Sequence, residues 1–257
     1  MTSAQQVFVS LGSFGASEVS RHGQNWFVRL CHAAGADGVE IRGELLAGHD
    51  GELAALASTV RGTGMACVYS SPDMLWNAGG DLALDALDKG LDSALTLGAG
   101  VLKMSIGGFR PGAEGALRPL AERLARQDIV LLIENDQTES AGSLPALERF
   151  FQSADQAGLA LGMTFDMGNW HWNGECPLQA ADVFSARVRY VHCKGVQRQP
   201  ARWVAVPLSD SAAAWRAVLR AMPRGVPRAI EFPLVGEDLL SVTRNAIGQL
   251  RSLENEQ

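Results

Sequence analysis

Cysteine is scarce in this chain and unpaired: Cys31, Cys67, Cys176 and Cys193 are scattered without a Cys-x-x-Cys pair. That spacing excludes a zinc knuckle and a dithiol redox motif, and buried free thiols are the expectation. No apolar run approaches the roughly 20 residues that span a bilayer. Met1-Thr2-Ser3-Ala4-Gln5-Gln6 has no basic stretch leading into an apolar one, so no secretory leader is expected and the protein reads as cytoplasmic. Positive charge is short too. Against 28 Asp and Glu there are 22 Lys and Arg, a net charge of -6 at neutral pH; a nucleic-acid partner, whose phosphates need a basic surface, is disfavoured. No Pro/Ser-rich, low-complexity or charge-block tract is available as a linker, and 47% hydrophobic content suits one large core. Residues 1–257 therefore read as one domain.

What the chain does have is alternation. Short apolar runs bounded by Gly, Pro or Asn recur at Val7-Leu11, Gly38-Ile41, Met65-Tyr69, Val101-Ile106, Ile129-Ile133, Leu161-Phe165, Val188-Val191 and Arg228-Phe232. These are strand candidates. Between them apolar residues recur at helical spacing, as in Trp26-Leu30-Ala33, Leu53-Leu56-Ala57-Val60, Leu84-Leu87-Leu91-Leu95 and Leu144-Leu147-Phe151. Asp81, Ser143 and Asp210 stand where helix N-caps belong, Pro177 suits a first turn, and Gly35 and Gly158 suit helix ends. Strands buried on both faces and followed each by a helix describe an α/β fold, a single (β/α)8 TIM barrel. An open doubly wound sheet would carry a Gly-x-Gly-x-x-Gly turn after the first strand, and Gly12-Ser13-Phe14-Gly15-Ala16 does not match it.

Active sites of such barrels lie at the C-terminal ends of the strands. Here the later strands end in Ile133-Glu134-Asn135, Phe165-Asp166, Val191-His192-Cys193-Lys194 and Ile230-Glu231-Phe232. Three carboxylates and an imidazole would converge on one point. Like charges in a partly dry site need a counter-charge, and oxygen-rich ligation with one imidazole suits a single divalent ion, Mn²⁺, Mg²⁺ or Co²⁺. Glu134, Asp166, His192 and Glu231 are the candidate ligands.

At these residues the chain resembles the xylose isomerase-like TIM barrels, in particular their sugar or sugar-phosphate isomerase and epimerase branch. The carriers are Gly35-Ala36-Asp37-Gly38-Val39-Glu40-Ile41-Arg42, Ile133-Glu134-Asn135, Phe165-Asp166-Met167-Gly168-Asn169, His192-Cys193-Lys194 and Glu231-Phe232-Pro233. The resemblance implies that the quartet binds one divalent metal and that Glu134 and Glu231 are also the catalytic proton carriers. It implies proton abstraction beside a carbonyl and a metal-stabilised enediolate, as in isomerisation or epimerisation of a small carbohydrate. A dehydratase or decarboxylase of a keto-sugar or sugar acid is the alternative on the same site. An abasic-site endonuclease-type phosphodiesterase is a further reading of the fold; it needs extra His ligands in a chain with five His.

Relatives carry Asp-x-x-His on the sixth strand, whereas Asn169 holds that place here and His171 follows two residues later. Substrate contacts are expected from Glu40, Lys103, Gln137, Asn169, Trp170, His171, Lys194 and Arg198. Packing beside Trp neighbours is the other reading of His171, and an internal ion pair that of Glu40. Trp76, Trp170, Trp172 and Trp203 fall in candidate loops, where aromatic faces bind sugar C–H faces or simply cover barrel ends. A small-molecule partner is expected, with no nucleic acid and no membrane, and homo-oligomerisation is left open.

Overall fold

The computed structural model describes residues 5–253; the reading of the leader over Met1–Ala4 lies outside them. In chain order the strands are β1 (Val7–Ser10), β2 (Gly38–Arg42), β3 (Ala66–Trp76), β4 (Val101–Gly107), β5 (Val130–Glu134), β6 (Gly162–Asp166), β7 (Val188–Cys193), β8 (Gly195–Arg198), β9 (Trp203–Val206) and β10 (Arg228–Ile230). The helices are α1 (Ala16–His22), α2 (Gln24–Ala34), α3 (Glu52–Thr63), α4 (Leu84–Leu97), α5 (Leu117–Leu124), α6 (Glu139–Gly142), α7 (Leu144–Gln156), α8 (Pro177–Phe184), α9 (Trp215–Ala221) and α10 (Leu239–Ser252). Strands β1 to β7 and β10 form a closed barrel of parallel neighbours, and β1 completes it by pairing with both β2 and β10. All eight expected strands are present, and the fold is a (β/α)8 barrel.

The barrel interior is layered by the two-residue period of a strand. Phe8, Val68, Leu132, Tyr190 and Ala229 form a small apolar cluster apart from the main core. Two positions further along the same strands come Ser10, Ser70, Glu134, His192 and Glu231. An apolar plug thus supports a polar layer at the C-terminal mouth. Gly38 belongs to the plug: a Cβ there would lie 2.2 Å from the Phe8 ring, and two residues later the strand presents Glu40. The main core lies between barrel and helices, and includes Phe27, Leu56, Leu91, Leu120, Phe150, Phe151 and Phe184. Each such side chain contributes about 1.5–3 kcal/mol by leaving water.

Several local expectations need correction. The connection after β7 holds an antiparallel hairpin, β8–β9, with Gly195 opposite Val206 and Arg198 opposite Trp203. Strand β3 continues to Trp76, whose buried ring meets Phe109 and Phe150 edge-on, so this Trp is core rather than loop. Asp81 and Asp210 do not cap helices, because α4 and α9 start after Ala83 and Ala214. The acid that caps one is Asp238, which accepts from Ser241 N at the start of α10. In α2 the buried stripe is Gln24-Phe27-Val28-Cys31-Ala34, and Trp26 is exposed. Cys176 is exposed, whereas Cys31, Cys67 and Cys193 are buried.

Candidate active site

The ends of β5, β6, β7 and β10 bring Glu134, Asp166, His192 and Glu231 together, with one ligand atom from each within 4.8 Å of the others. His192 Nδ1 lies 2.9 Å from Glu134 Oε1, 2.9 Å from Glu231 Oε2 and 3.8 Å from Asp166 Oδ2. His192 Nδ1 and Asp166 Oδ2 are fully buried, and neither makes a hydrogen bond of good geometry, although two carboxylate oxygens stand 2.9 Å from the first and Lys194 Nζ 2.7 Å from the second. Four donors converging on one point, two of them without a well-formed hydrogen bond, fit a divalent cation by position and by donor chemistry.

The four side chains are held from behind. Asn135, buried beside Glu134, accepts from Asp166 N at 2.9 Å and donates to Asp166 O at 3.0 Å, fastening β6 to β5. Asp166 Oδ1 accepts from Gly168 N at 2.7 Å and Asn169 N at 2.9 Å. Its Oδ2 is thereby left to point at the centre. On the far side of the imidazole, His192 Nε2 sits 2.7 Å from Glu40 Oε2, an arrangement that leaves Nδ1 as the nitrogen facing the carboxylates. The sequence reading quoted Asn135 only as part of the Ile133-Glu134-Asn135 motif and gave it no role, because its clamp depends on the register between neighbouring strands.

Three cations interleave with the acids. Lys103 Nζ is 2.7 Å from Glu134 Oε2 and 3.3 Å from Glu40 Oε1. Lys194 Nζ is 2.7 Å from Asp166 Oδ2 and 3.0 Å from Glu231 Oε2. Arg42 Nη1 is 3.0 Å from Glu40 Oε1 and 2.9 Å from Glu231 Oε1. Arg42 was visible in the sequence as the last residue of the Gly35–Arg42 motif, and its reach to Glu231 is set by barrel closure. Burial pushes the Glu231 carboxyl up, but His192 and Lys194 outweigh it and hold it well below its ordinary range. For Glu134 burial is likewise outweighed, by Lys103 and His192. Asp166 goes the other way, raised by burial that Lys194 only partly offsets. Burial works against protonated His192, yet Glu231 and Glu40 raise it well above its ordinary value.

The expected substrate contacts separate into four groups. Glu40, Lys103 and Lys194 are within ion-pair distance of the quartet and almost wholly buried. Asn169 and Gln137 form a relay beside it: Asn169 Oδ1 accepts from Lys194 Nζ at 3.1 Å and from Gln137 Nε2 at 3.2 Å. Trp170 stands elsewhere, fully buried, stacked on Phe184 and tilted against Phe165 in the core. Its ring supports the loop and does not face the mouth as the sequence reading expected. His171 and Arg198 meet at the hairpin, where the Trp203 ring lies 5.0 Å from the His171 ring and 5.5 Å from the Arg198 guanidinium. Arg198 is exposed there. His171 has the Trp neighbour foreseen for it, but from β9 and not from its own loop.

The family model for the xylose isomerase-like TIM barrel matches residues 28–230. The chain belongs to this family. No curated protein matches it in sequence. Among solved structures, a xylose isomerase-like TIM barrel/4-hydroxyphenylpyruvate dioxygenase fusion protein superposes with a TM-score of 0.74 at 15% identity, covering 99% of this chain. This chain spans 43% of that fusion protein's length. The probable 3-DHS dehydratase AsbF of Bacillus anthracis gives 0.69 at 14% identity, with 96% and 98% of the two chains covered. The D-allulose 3-epimerase from Methylomonas sp., in complex with D-allulose, gives 0.66 at 14% identity, with 97% of each chain covered. At these identities the likeness of structures establishes the barrel fold and leaves the reaction to the site.

Proposed function

We propose that the protein is a divalent-metal-dependent isomerase or epimerase of a small polyhydroxy carbonyl compound, with Glu134, Asp166, His192 and Glu231 as the ligands. One observation carries the reading. Of the four side chains, Asp166 and His192 are 0% exposed, while Glu134 and Glu231 keep 16% and 14% of their surface open to the mouth. Two ligands only anchor; two can also touch substrate. A bound ion would supply Lewis acidity toward a carbonyl and its neighbouring hydroxyl.

Glu134 and Glu231 come from β5 and from the end of β10, so they approach a bound substrate from different sides of the barrel. One takes the proton from the carbon beside the carbonyl, and the other returns one. Return to the opposite face is epimerisation, and return to the adjacent carbon is isomerisation. Lys103 and Lys194 hold their charges beside Glu134 and Glu231, and each keeps its glutamate anionic, in the state needed to accept a proton. Loss of water from a keto-sugar or sugar acid is the second reading. Lys194 Nζ, 3.0 Å from Glu231 Oε2, favours it as a proton source for a departing hydroxyl. A multi-metal phosphodiesterase is not favoured, since among the described residues only this one ligand cluster is present.

The test is incubation of metal-supplemented protein with a panel of ketoses, keto-acids and their phosphates in D₂O, followed by NMR. Deuterium at the carbon beside the carbonyl is expected for at least one compound, and its loss in both Glu134→Gln and Glu231→Gln. Deuterium entry that is the same in both variants as in wild type would contradict the proton-carrier roles.

A further inference from the structure

Beyond the metal ligands, the most elaborately held cation is Arg42. The buried amide of Gln24 accepts from Arg42 N and donates to Arg42 O, both at 2.9 Å, and so fixes the backbone at the end of β2. The guanidinium then has two differently occupied edges. Its Nη1 corner faces the barrel and is held by Glu40 and Glu231. Its Nε/Nη2 edge meets Glu44, with a single oxygen, Oε1, 2.8 Å from Nε and 2.7 Å from Nη2. Arg42, Glu44 and Glu231 all line one cavity of about 440 Å³, whose other walls include Phe14, Leu45 and Phe232.

We propose that the Nε/Nη2 edge of Arg42 is a carboxylate subsite, with Glu44 as its displaceable occupant, so that the substrate of the proposed enzyme is a polyhydroxy acid. The inference rests on the function proposed above and deepens it. Guanidinium offers two parallel N–H donors on that edge, and a carboxylate satisfies them best with two oxygens. Glu44 supplies one. Its side chain is also 41% exposed, on the short turn after β2, and an ion pair with so open a partner is weak. A substrate carboxylate can therefore replace it at little cost and make the second bond. Gly43 puts the turn where it is: a Cβ at this position would stand 2.5 Å from Pro72 Cδ and 2.7 Å from the Tyr69 hydroxyl. The apolar walls suit the C–H face of the acid's carbon chain.

Calorimetric titration of Mn²⁺-supplemented wild type, Glu44→Gln and Arg42→Lys with D-gluconate, D-glucose and D-glucose 6-phosphate tests this without relying on turnover. Wild type is expected to bind gluconate at least tenfold more tightly than glucose. Glu44→Gln should tighten gluconate by about two- to fivefold, the value of an exposed ion pair, and leave glucose unchanged. Arg42→Lys, confirmed folded by circular dichroism, should weaken gluconate about tenfold because an ammonium cannot present the fork. Equal binding of gluconate and glucose, or gluconate affinity indifferent to both substitutions, overturns the proposal. A response confined to glucose 6-phosphate also overturns it, in favour of a phosphate subsite. Metal content is read on the same samples. Bound metal without a gluconate response defeats the subsite alone, and a gluconate response without bound metal defeats the metal-dependent function alone.

Discussion

Glu40 touches no solvent, and its Oε2 lies 2.7 Å from His192 Nε2 while Oε1 faces Lys103 and Arg42. Burial pushes its carboxyl up, but His192 and Lys103 dominate and hold it well below its ordinary range. On the proposed function its role is to orient: contact with Nε2 fixes the imidazole plane and turns Nδ1 toward the other carboxylates. Gln in its place keeps a hydrogen-bonding group and loses the charge. Glu40→Gln is therefore expected to weaken Mn²⁺ binding about 10- to 100-fold, as loss of a carboxylate behind a ligating His does. Equilibrium dialysis checks this, and unchanged affinity would show that Glu40 belongs to the ion-pair ring without orienting the ligand. The sequence displayed Glu40 at the end of β2. It could not show which nitrogen of which histidine the carboxylate meets, because that contact joins residues 152 positions apart in the chain.

At the scale of elements, the β8–β9 hairpin follows β7 at the mouth. The sequence reading passed over it: Trp203-Val204-Ala205-Val206 is an apolar run but only four residues long and half-buried, and its partner Gly195–Arg198 ends in exposed polar residues. A ribbon standing outside the barrel has no two-sided core to write a signal into the sequence. The barrel strands, buried on both faces, write theirs plainly. The hairpin brings Trp203 onto His171, and burial lowers the His171 pKa below its ordinary value of 6.5. The sign follows from linkage. Above the ordinary histidine range the group is neutral in both folded and unfolded chains and contributes nothing. As pH falls through that range the unfolded chain takes up the proton more readily, so stability declines. In Trp203→Ala the ring gains water, and the His171 titration followed by NMR should move up toward 6.5. A midpoint unmoved by the substitution would mean that the burial comes from elsewhere in the loop.

Across the whole molecule, closure of the barrel turns four separated carriers of chemistry into one site. Fold and quartet were legible together because they follow from one rule: parallel strands end on the same face, and a period of two sets which side chains point inward. The apolar plug of Phe8, Val68, Leu132, Tyr190 and Ala229 is the visible product of that period, and the acids and imidazole two residues later are its continuation. Features that depended on distance between strands, such as the Asn135 clamp and the reach of Arg42 to Glu231, became readable only from coordinates. The central claim is that the quartet holds a divalent ion. Its most direct test is the metal content of the protein after dialysis against Mn²⁺, compared with Glu134→Gln and Glu231→Gln variants shown by circular dichroism to be folded. One ion per chain in wild type and substantial loss in both variants is the expected result; the same metal content in all three proteins would contradict the assignment.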